Sequence, residues 1–251
     1  MHVIRPPRSR TIPSWLAACA RRLGGCLPGL CALCGNRARG VICVHCDARY
    51  WDEARLRCRC CALPLAPGAL HADYLCEACR TDPPAFDATF ALADYRAPLD
   101  ALAQALKFRA RTELGREFAR RLAQLADEAL AADRPDLVAP VPLSRKRLVT
   151  RGYNQAWEIA RPLARALGLP AAPCLVERVT DTAPQSQLAL DERRDNVGHA
   201  FAVAGEVAGR HIALVDDVMT SGATLGAIAV PLKAAGARRV TNLVALRTAK
   251  D

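Results

Sequence analysis

The sequence predicts an α/β protein, a doubly wound and mainly parallel sheet preceded by a small cysteine-rich module. Three observations carry this. From about residue 88 onward, short apolar runs alternate with stretches whose apolar residues recur at helical spacing, which is the pattern of strand–helix–strand units. Eight of the twelve cysteines fall into four Cys-x2-Cys pairs, all ahead of that alternation. Hydrophobic residues make up 51% of the 251-residue chain but aromatics only 5%, so a real core is available and Ala, Leu and Val must fill it.

Residues 1–30 are rich in Arg and Pro and read as a loosely ordered basic segment. The formal net charge is +10, and residues 1–60 carry +8 of it, with 11 arginines against three acids. The apolar run 14–20 is cut short by Arg21 and Arg22, well below the roughly 20 residues of a membrane span. Residues 12–23 read as a surface helix or a frayed terminus, with a short basic amphipathic helix attached to a membrane as the alternative. No secretory signal is recognisable, and paired cysteines suit a reducing compartment, so a cytoplasmic location is expected.

Residues 31–80 hold few large apolar side chains and cannot support a core of their own. Metal supplies the staple. The pairs are Cys31/Cys34, Cys43/Cys46, Cys58/Cys61 and Cys76/Cys79. Each pair offers two sulfurs to one ion, and two pairs complete a tetrahedral four-cysteine Zn2+ site. The spacing fits two successive ribbons, with the first pair joined to the second and the third to the fourth. A cross-braced pairing and disulfides are the alternatives. Cys19, Cys26, Cys60 and Cys174 read as non-ligands. With both sites loaded, eight thiolates and two dications remove four charges, leaving about +6.

Residues 81–86, with Pro83 and Pro84, read as a stiff linker, and residues 87–251 as the α/β domain. Strands are expected near 88–95, 137–141, 174–179, 199–203, 211–215 and 240–246. Helices are expected over 98–108, 112–131, 153–167 and about 225–235, the last kinked or broken by Pro231.

The chemistry concentrates in residues 212–224. Ile212 to Val215 form an apolar strand, and Asp216 and Asp217 stand where it is expected to end. Val218 and Met219 lead into a small hydroxyl-rich turn, Thr220, Ser221, Gly222, Ala223 and Thr224, which opens a helix. A helix start offers unpaired N–H groups and a positive dipole end to a phosphate. Gly222 permits close backbone approach, and the hydroxyls add donors. Carboxylates accept hydrogen bonds, so the acidic pair suits the two hydroxyls of a ribose. An ordinary helix N-cap would explain Thr220 or Ser221 but not two carboxylates in a row. Upstream, Arg145, Lys146, Arg147 and Arg151 cluster between a strand end and a helix and suit a diphosphate; a solvated basic loop is the alternative. Residues 180–197 are polar and long enough for a lid in which Gln185, Arg193, Arg194 and Asn196 close over substrate; the alternative is a solvent-exposed helix.

Residues 212–224 resemble the phosphoribosyl diphosphate (PRPP) binding motif of type I phosphoribosyltransferases. The resemblance widens through Pro140-Val141-Pro142-Leu143, Arg151-Gly152-Tyr153-Asn154-Gln155, Thr182-Ala183-Pro184-Gln185 and Arg193-Arg194-Asp195-Asn196-Val197. In this order, these blocks look like the ComF family, in which a zinc-binding segment precedes a phosphoribosyltransferase domain. That resemblance implies a type I phosphoribosyltransferase-like fold behind a double zinc ribbon, binding of PRPP with Mg2+, and a role in handling incoming single-stranded DNA alongside other competence proteins. Two classes of function follow. One is Mg-dependent phosphoribosyl transfer to an acceptor that the sequence does not identify. The other is a non-catalytic PRPP sensor or an adaptor for single-stranded DNA or protein. In the second, the arginines of residues 37–59 contact phosphates, and Tyr50 and Trp51 either stack on bases or pack against the zinc core.

Overall fold

The computed structural model describes residues 29–51, 55–66, 73–179 and 200–249. The chain divides into two compact units, Met1–Ala48 and Arg49–Asp251.

In the first unit, strands β1 (Gly29–Leu30) and β2 (Arg37–Ala38) pair antiparallel. The turn between them closes with Cys31 N–H on the Asn36 carbonyl at 2.7 Å and Gly35 N–H on the Cys31 carbonyl at 3.0 Å. Gly35 has φ of 73°, a left-handed conformation that favours glycine. Helix α1 (Val44–Tyr50) begins in this unit and buries Cys46.

The second unit opens with a cysteine knuckle, in which Ala62 N–H bonds to the Cys58 carbonyl at 2.8 Å. Helix α2 (Glu77–Thr81) starts directly after Cys76. Then come β3 (Ala88–Asp94), α3 (Asp100–Phe108), α4 (Glu113–Ala129), β4 (Leu137–Pro140), α5 (Arg145–Arg151), α6 (Gln155–Leu167), β5 (Val176–Arg178), β6 (Phe201–Val203), β7 (His211–Met219), α7 (Ala223–Ala234) and β8 (Arg239–Arg247).

Four strands form one wholly parallel sheet in the order β3-β8-β7-β4. The two central strands are apolar on both faces: Leu214, Val215, Leu243 and Val244 are fully buried. That is why they read as continuous hydrophobic runs. The chain crosses from β3 to β4 in one direction and from β7 to β8 in the other. Right-handed crossovers therefore place α4 and α7 on opposite faces of the sheet. Helices α4 and α6 pack on each other at Gly115, where a Cβ would lie 2.8 Å from the Glu158 carbonyl oxygen. Among the described residues, no helix is long and apolar enough to cross a membrane.

Several details differ from the sequence expectations. The strands near 174–179 and 199–203 stand outside the main sheet, as the antiparallel pair β5–β6. Strand β7 does not stop before the acidic pair but runs on to Met219. Residues 145–151, read as a loop, form helix α5: the Ser144 hydroxyl caps it by accepting from Arg147 N–H, and Gly152 (φ 82°) ends it. Pro231 does not break α7, which continues to Ala234.

The third and fourth cysteine pairs share a buried core with the sheet. Cys58, Cys61, Cys76, Cys79 and Phe86 belong to the same hydrophobic cluster as Leu214, Met219 and Val244. Arg55 and Arg57, just ahead of the knuckle, bind Asp94 at the end of β3 at 2.9 and 2.8 Å.

Candidate functional site

All four strands of the main sheet point the same way, so the segments that follow them gather at its carboxyl edge, where ligands of such sheets bind. The turn after β7 is open: Thr220, Ser221, Ala223 and Thr224 are exposed. Gly222 takes φ of 84° at the N-cap of α7 and makes no side-chain cap. The Ser221 hydroxyl accepts from Ala223 N–H at 3.3 Å. Gly222, having no side chain, offers no cap to the other N–H groups at this helix start.

The acidic pair lies within β7, and adjacent strand residues point to opposite faces. The two carboxylates therefore have different surroundings. Asp217 is 1% exposed and is met by two side chains from other elements. Lys107, at the end of α3, places its ammonium 3.0 Å from Oδ2. Gln155, the first residue of α6, donates from Nε2 to Oδ1 at 3.4 Å. The lysine contact is an ion pair off the line of a hydrogen bond, and Oδ2 has no hydrogen-bond partner among the described residues. Asp216 is half-buried, and its Oδ1 accepts from Asp217 N–H at 2.8 Å. Burial and the like charge of Asp217 push the Asp216 carboxyl well above its usual range, while Lys107 pulls it down.

The basic residues divide as well. Arg145, Lys146 and Arg147 are exposed on α5. Arg151 is half-buried, with its guanidinium 5.3 Å from the centre of the Phe108 ring. It also donates to Gln155 Oε1. Arg151, Gln155, Asp217 and Lys107 thus form one chain of contacts. The corner that positions it is fixed by Asn154, whose amide donates to the Val141 carbonyl at 3.0 Å and whose Oδ1 caps α6 at Ala156 N–H. Tyr153 adds a hydroxyl bond to the Leu106 carbonyl, tying this corner to α3.

The cysteines group as two successive sets, Cys31/Cys34/Cys43/Cys46 and Cys58/Cys61/Cys76/Cys79, and the sulfurs of each set lie within 4.8 Å of one another. Cys34 and Cys43 sulfurs are 3.7 Å apart, and Cys61 and Cys76 sulfurs 3.6 Å. A disulfide needs about 2.05 Å. A tetrahedron with Zn–S bonds of about 2.3 Å has an edge of about 3.8 Å. Both sets therefore suit a tetrahedral dication and not disulfides, and the cross-braced pairing does not occur. Burial alone would raise the Cys31 thiol, but N–H groups of Cys34, Cys43 and Leu33 outweigh it and bring it to about 6, which favours the thiolate that a metal needs. Cys60 stays outside the second set; burial pushes its thiol up to about 11.

No family model matches the chain. Among curated proteins, DNA utilization protein YhgH of Salmonella typhimurium (strain LT2) is 35% identical over 220 residues, covering 85% of this chain and 95% of that one. Its namesake in Escherichia coli (strain K12) is 35% identical over 223 residues with the same coverage. Competence protein F of Haemophilus influenzae is 34% identical over 171 residues, covering 66% of this chain and 75% of that one. The chain belongs to the ComF/YhgH family.

Solved structures similar to this ComF/YhgH-family chain include the glutamine PRPP amidotransferase of B. subtilis, with a TM-score of 0.40 and 20% identity over 57% of this chain and 30% of that one. A purine phosphoribosyltransferase of Pyrococcus horikoshii OT3 follows at 0.33 and 17%, covering 53% and 83%.

Of the residues singled out in sequence, those of 216–224 come together as one strand end and turn. Val218 is half-buried in β7 and Met219 is buried beneath the turn. Gln185, Arg193, Arg194 and Asn196, the lid expectation, lie outside the described residues, as do Cys19 and Cys26. Sequence reasoning missed Lys107, Gln155 and Arg247. Lys107 had a signal: the chain has four lysines against 31 arginines, and this one ends an apolar helix.

Proposed function

We propose that this ComF/YhgH-family protein binds PRPP with Mg2+ and transfers its phosphoribosyl group, acting in the cytoplasm in DNA utilization, the role named for its relatives. The observation that carries the reading is the juxtaposition at the end of β7. A carboxylate pair, one member sealed against a lysine and the other half-open, directly precedes an exposed Thr-Ser-Gly-Ala-Thr turn that opens α7. In this reading residues 31–80 are a double zinc ribbon, 81–86 a linker and 87–251 the phosphoribosyltransferase domain.

The 5-phosphate sits in the Thr220–Thr224 turn on the amides and hydroxyls there. Asp216 accepts from a ribose hydroxyl. Asp217, held by Lys107 and Gln155, supplies the negative field beneath the sugar, and positive charge developing at C1 as the diphosphate leaves is stabilised by it. Arg151 and the exposed Arg145, Lys146 and Arg147 take the diphosphate. The half-open Asp216 carboxylate is the group fit to hold a divalent cation. When bound, Mg2+ would neutralise diphosphate charge. Closure of residues 180–197 would exclude water from the reacting centre. The Cys sets are fit for structural Zn2+.

Calorimetric titration with PRPP and Mg2+, followed by diphosphate release with a panel of nucleobases, oligonucleotides and other amine acceptors, tests this. Saturable PRPP binding with release is expected. Binding without release from any acceptor favours a PRPP sensor or an adaptor for single-stranded DNA or other competence proteins. Binding undiminished in Asp216→Asn/Asp217→Asn removes the site as described.

A further inference from the structure

Arg247, at the end of β8, is the largest fully buried side chain among the described residues, 1% exposed. Its guanidinium reaches two places at once. Nε donates to the carbonyl of Cys61 at 2.8 Å. Nη1 donates to the carbonyl of Met219 at 3.3 Å and to that of Thr220, the first residue of the turn. It also donates to the Thr248 carbonyl at 2.6 Å. The Met219 carbonyl is further held by Thr248 N–H at 3.0 Å. The guanidinium is a rigid planar fork, so its bonds fix the Cys61 knuckle and the start of the turn relative to each other. Among the described residues no carboxylate pairs with Arg247. A loaded four-cysteine site would carry four thiolates against one dication, a net charge of −2, and would supply a counter-charge on the Cys61 side of the guanidinium.

A second, independent contact joins the same two places. The Cys60 thiol donates to the Phe86 carbonyl at 3.9 Å. The Phe86 ring lies 3.7 Å from where a Cβ on Gly222 would sit. The knuckle Cys58–Cys61 therefore abuts the turn on one side through Phe86 and grips it from beneath through Arg247.

We infer that Arg247 is a positioning residue that makes the Cys58/Cys61/Cys76/Cys79 metal site a structural part of the phosphate-binding turn, so that metal in this site, and not in the Cys31/Cys34/Cys43/Cys46 site, sets the order of residues 219–224 and with it the affinity for a phosphate monoester such as the 5-phosphate of PRPP. The ligand half rests on the reading of the turn proposed above; the mechanical half does not.

The test uses the full-length, zinc-loaded chain and five forms: wild type, Cys34→Ser, Cys79→Ser, Arg247→Met and Arg247→Lys. Metal content identifies which site each variant has emptied. Amide hydrogen exchange without ligand follows residues 219–224 against the core of β7, residues 212–215. PRPP titration gives affinity. In Cys79→Ser and Arg247→Met, exchange in 219–224 should quicken at least tenfold with the β7 core still protected, and PRPP affinity should fall at least tenfold. Cys34→Ser should stay within twofold of wild type on both. Arg247→Lys keeps the charge but not the fork, and should retain zinc while loosening the turn. Turn exchange unchanged after loss of the second metal would overturn the inference. So would equal loosening by both cysteine variants, or loss of β7 protection in Cys79→Ser and Arg247→Lys alike, since these mark a general structural role. If wild type binds no PRPP while the exchange pattern holds, the phosphate reading fails and the metal–turn coupling stands.

Discussion

Lys107→Met removes a charge from the acidic pair while keeping the length of the side chain. The ammonium lies 3.0 Å from Asp217 Oδ2, and the two side chains are 25% and 2% exposed. At an effective dielectric of about 20, two unit charges at this distance attract by about 5–6 kcal/mol. Desolvation offsets part of this. Removing one partner of a fully buried pair costs about 3–5 kcal/mol, and the open quarter of Lys107 reduces that, so we expect a loss of about 2–3 kcal/mol at pH 8. The loss should depend on pH with a definite sign. The Asp216 carboxyl is held above its ordinary 3.8, and Lys107 is one of the groups that pull it down. Without Lys107 it rises further, so the folded state binds more protons than the unfolded one. Stability then falls as pH rises from 3.8 through the folded value. The deficit of the variant relative to wild type should therefore be larger at pH 8 than at pH 5. Urea unfolding of both proteins at pH 5 and pH 8, monitored by far-UV circular dichroism, measures it. A deficit below about 0.5 kcal/mol at pH 8, or one independent of pH, would refute the assignment of Lys107 as the counter-charge of the pair.

The turn, the helix packing, the metal sites and the opposite edge of the sheet give further tests. Gly222→Ala forces a Cβ onto φ of 84° and 2.5 Å from the Met219 Cε; it should cost about 1–2 kcal/mol and weaken PRPP binding, measured by thermal melts and titration. Gly115→Ala meets backbone rather than a flexible side chain at Glu158, so about 1–3 kcal/mol should be lost with PRPP affinity per folded molecule unchanged. Mercurial release into a colorimetric chelator should yield about two Zn2+ per chain from the two cysteine sets. His211 is fully buried, accepts or donates at 2.8 Å to Thr241 Oγ1, and is held below its usual 6.5 mainly by burial. The unfolded chain thus takes up a proton that the folded one resists, so stability should drop as pH falls through 6.5, and this drop should shrink in His211→Gln.

Local order and long-range assembly were not equally legible in the sequence. Residues 212–224 could be read because strand, acids, turn and helix are consecutive, and the cysteine sets because metal sites are built from short knuckles. What escaped was brought in by packing. Lys107 comes from a helix some hundred residues before Asp217, and Arg247 from a strand paired beside β7; neither spacing carries a local signal. Helix α5 was missed because Arg145 to Arg151 lacks an apolar stripe, although Ser144 and Gly152, its cap and stop, stood in plain view. Strand β7 was cut short because Asp216 and Asp217 end the apolar run, whereas in the fold Asp216 still pairs in register with Val244 and Met219 with Arg247.

Because neighbouring residues of a strand face opposite ways, Asp216 and Asp217 are two instruments rather than a duplicated one. The half-open carboxylate meets whatever ligand arrives, while the sealed one is held by Lys107 and Gln155 and acts on a ligand only through its field. Mutation therefore reaches them by separate routes. A descendant that gave up sugar chemistry but kept the scaffold could discard Asp216 at little structural cost, whereas discarding Asp217 would strand a lysine and oblige position 107 to change with it. Paired replacement at 107 and 217, against independent drift at 216, is the pattern of change this geometry predicts.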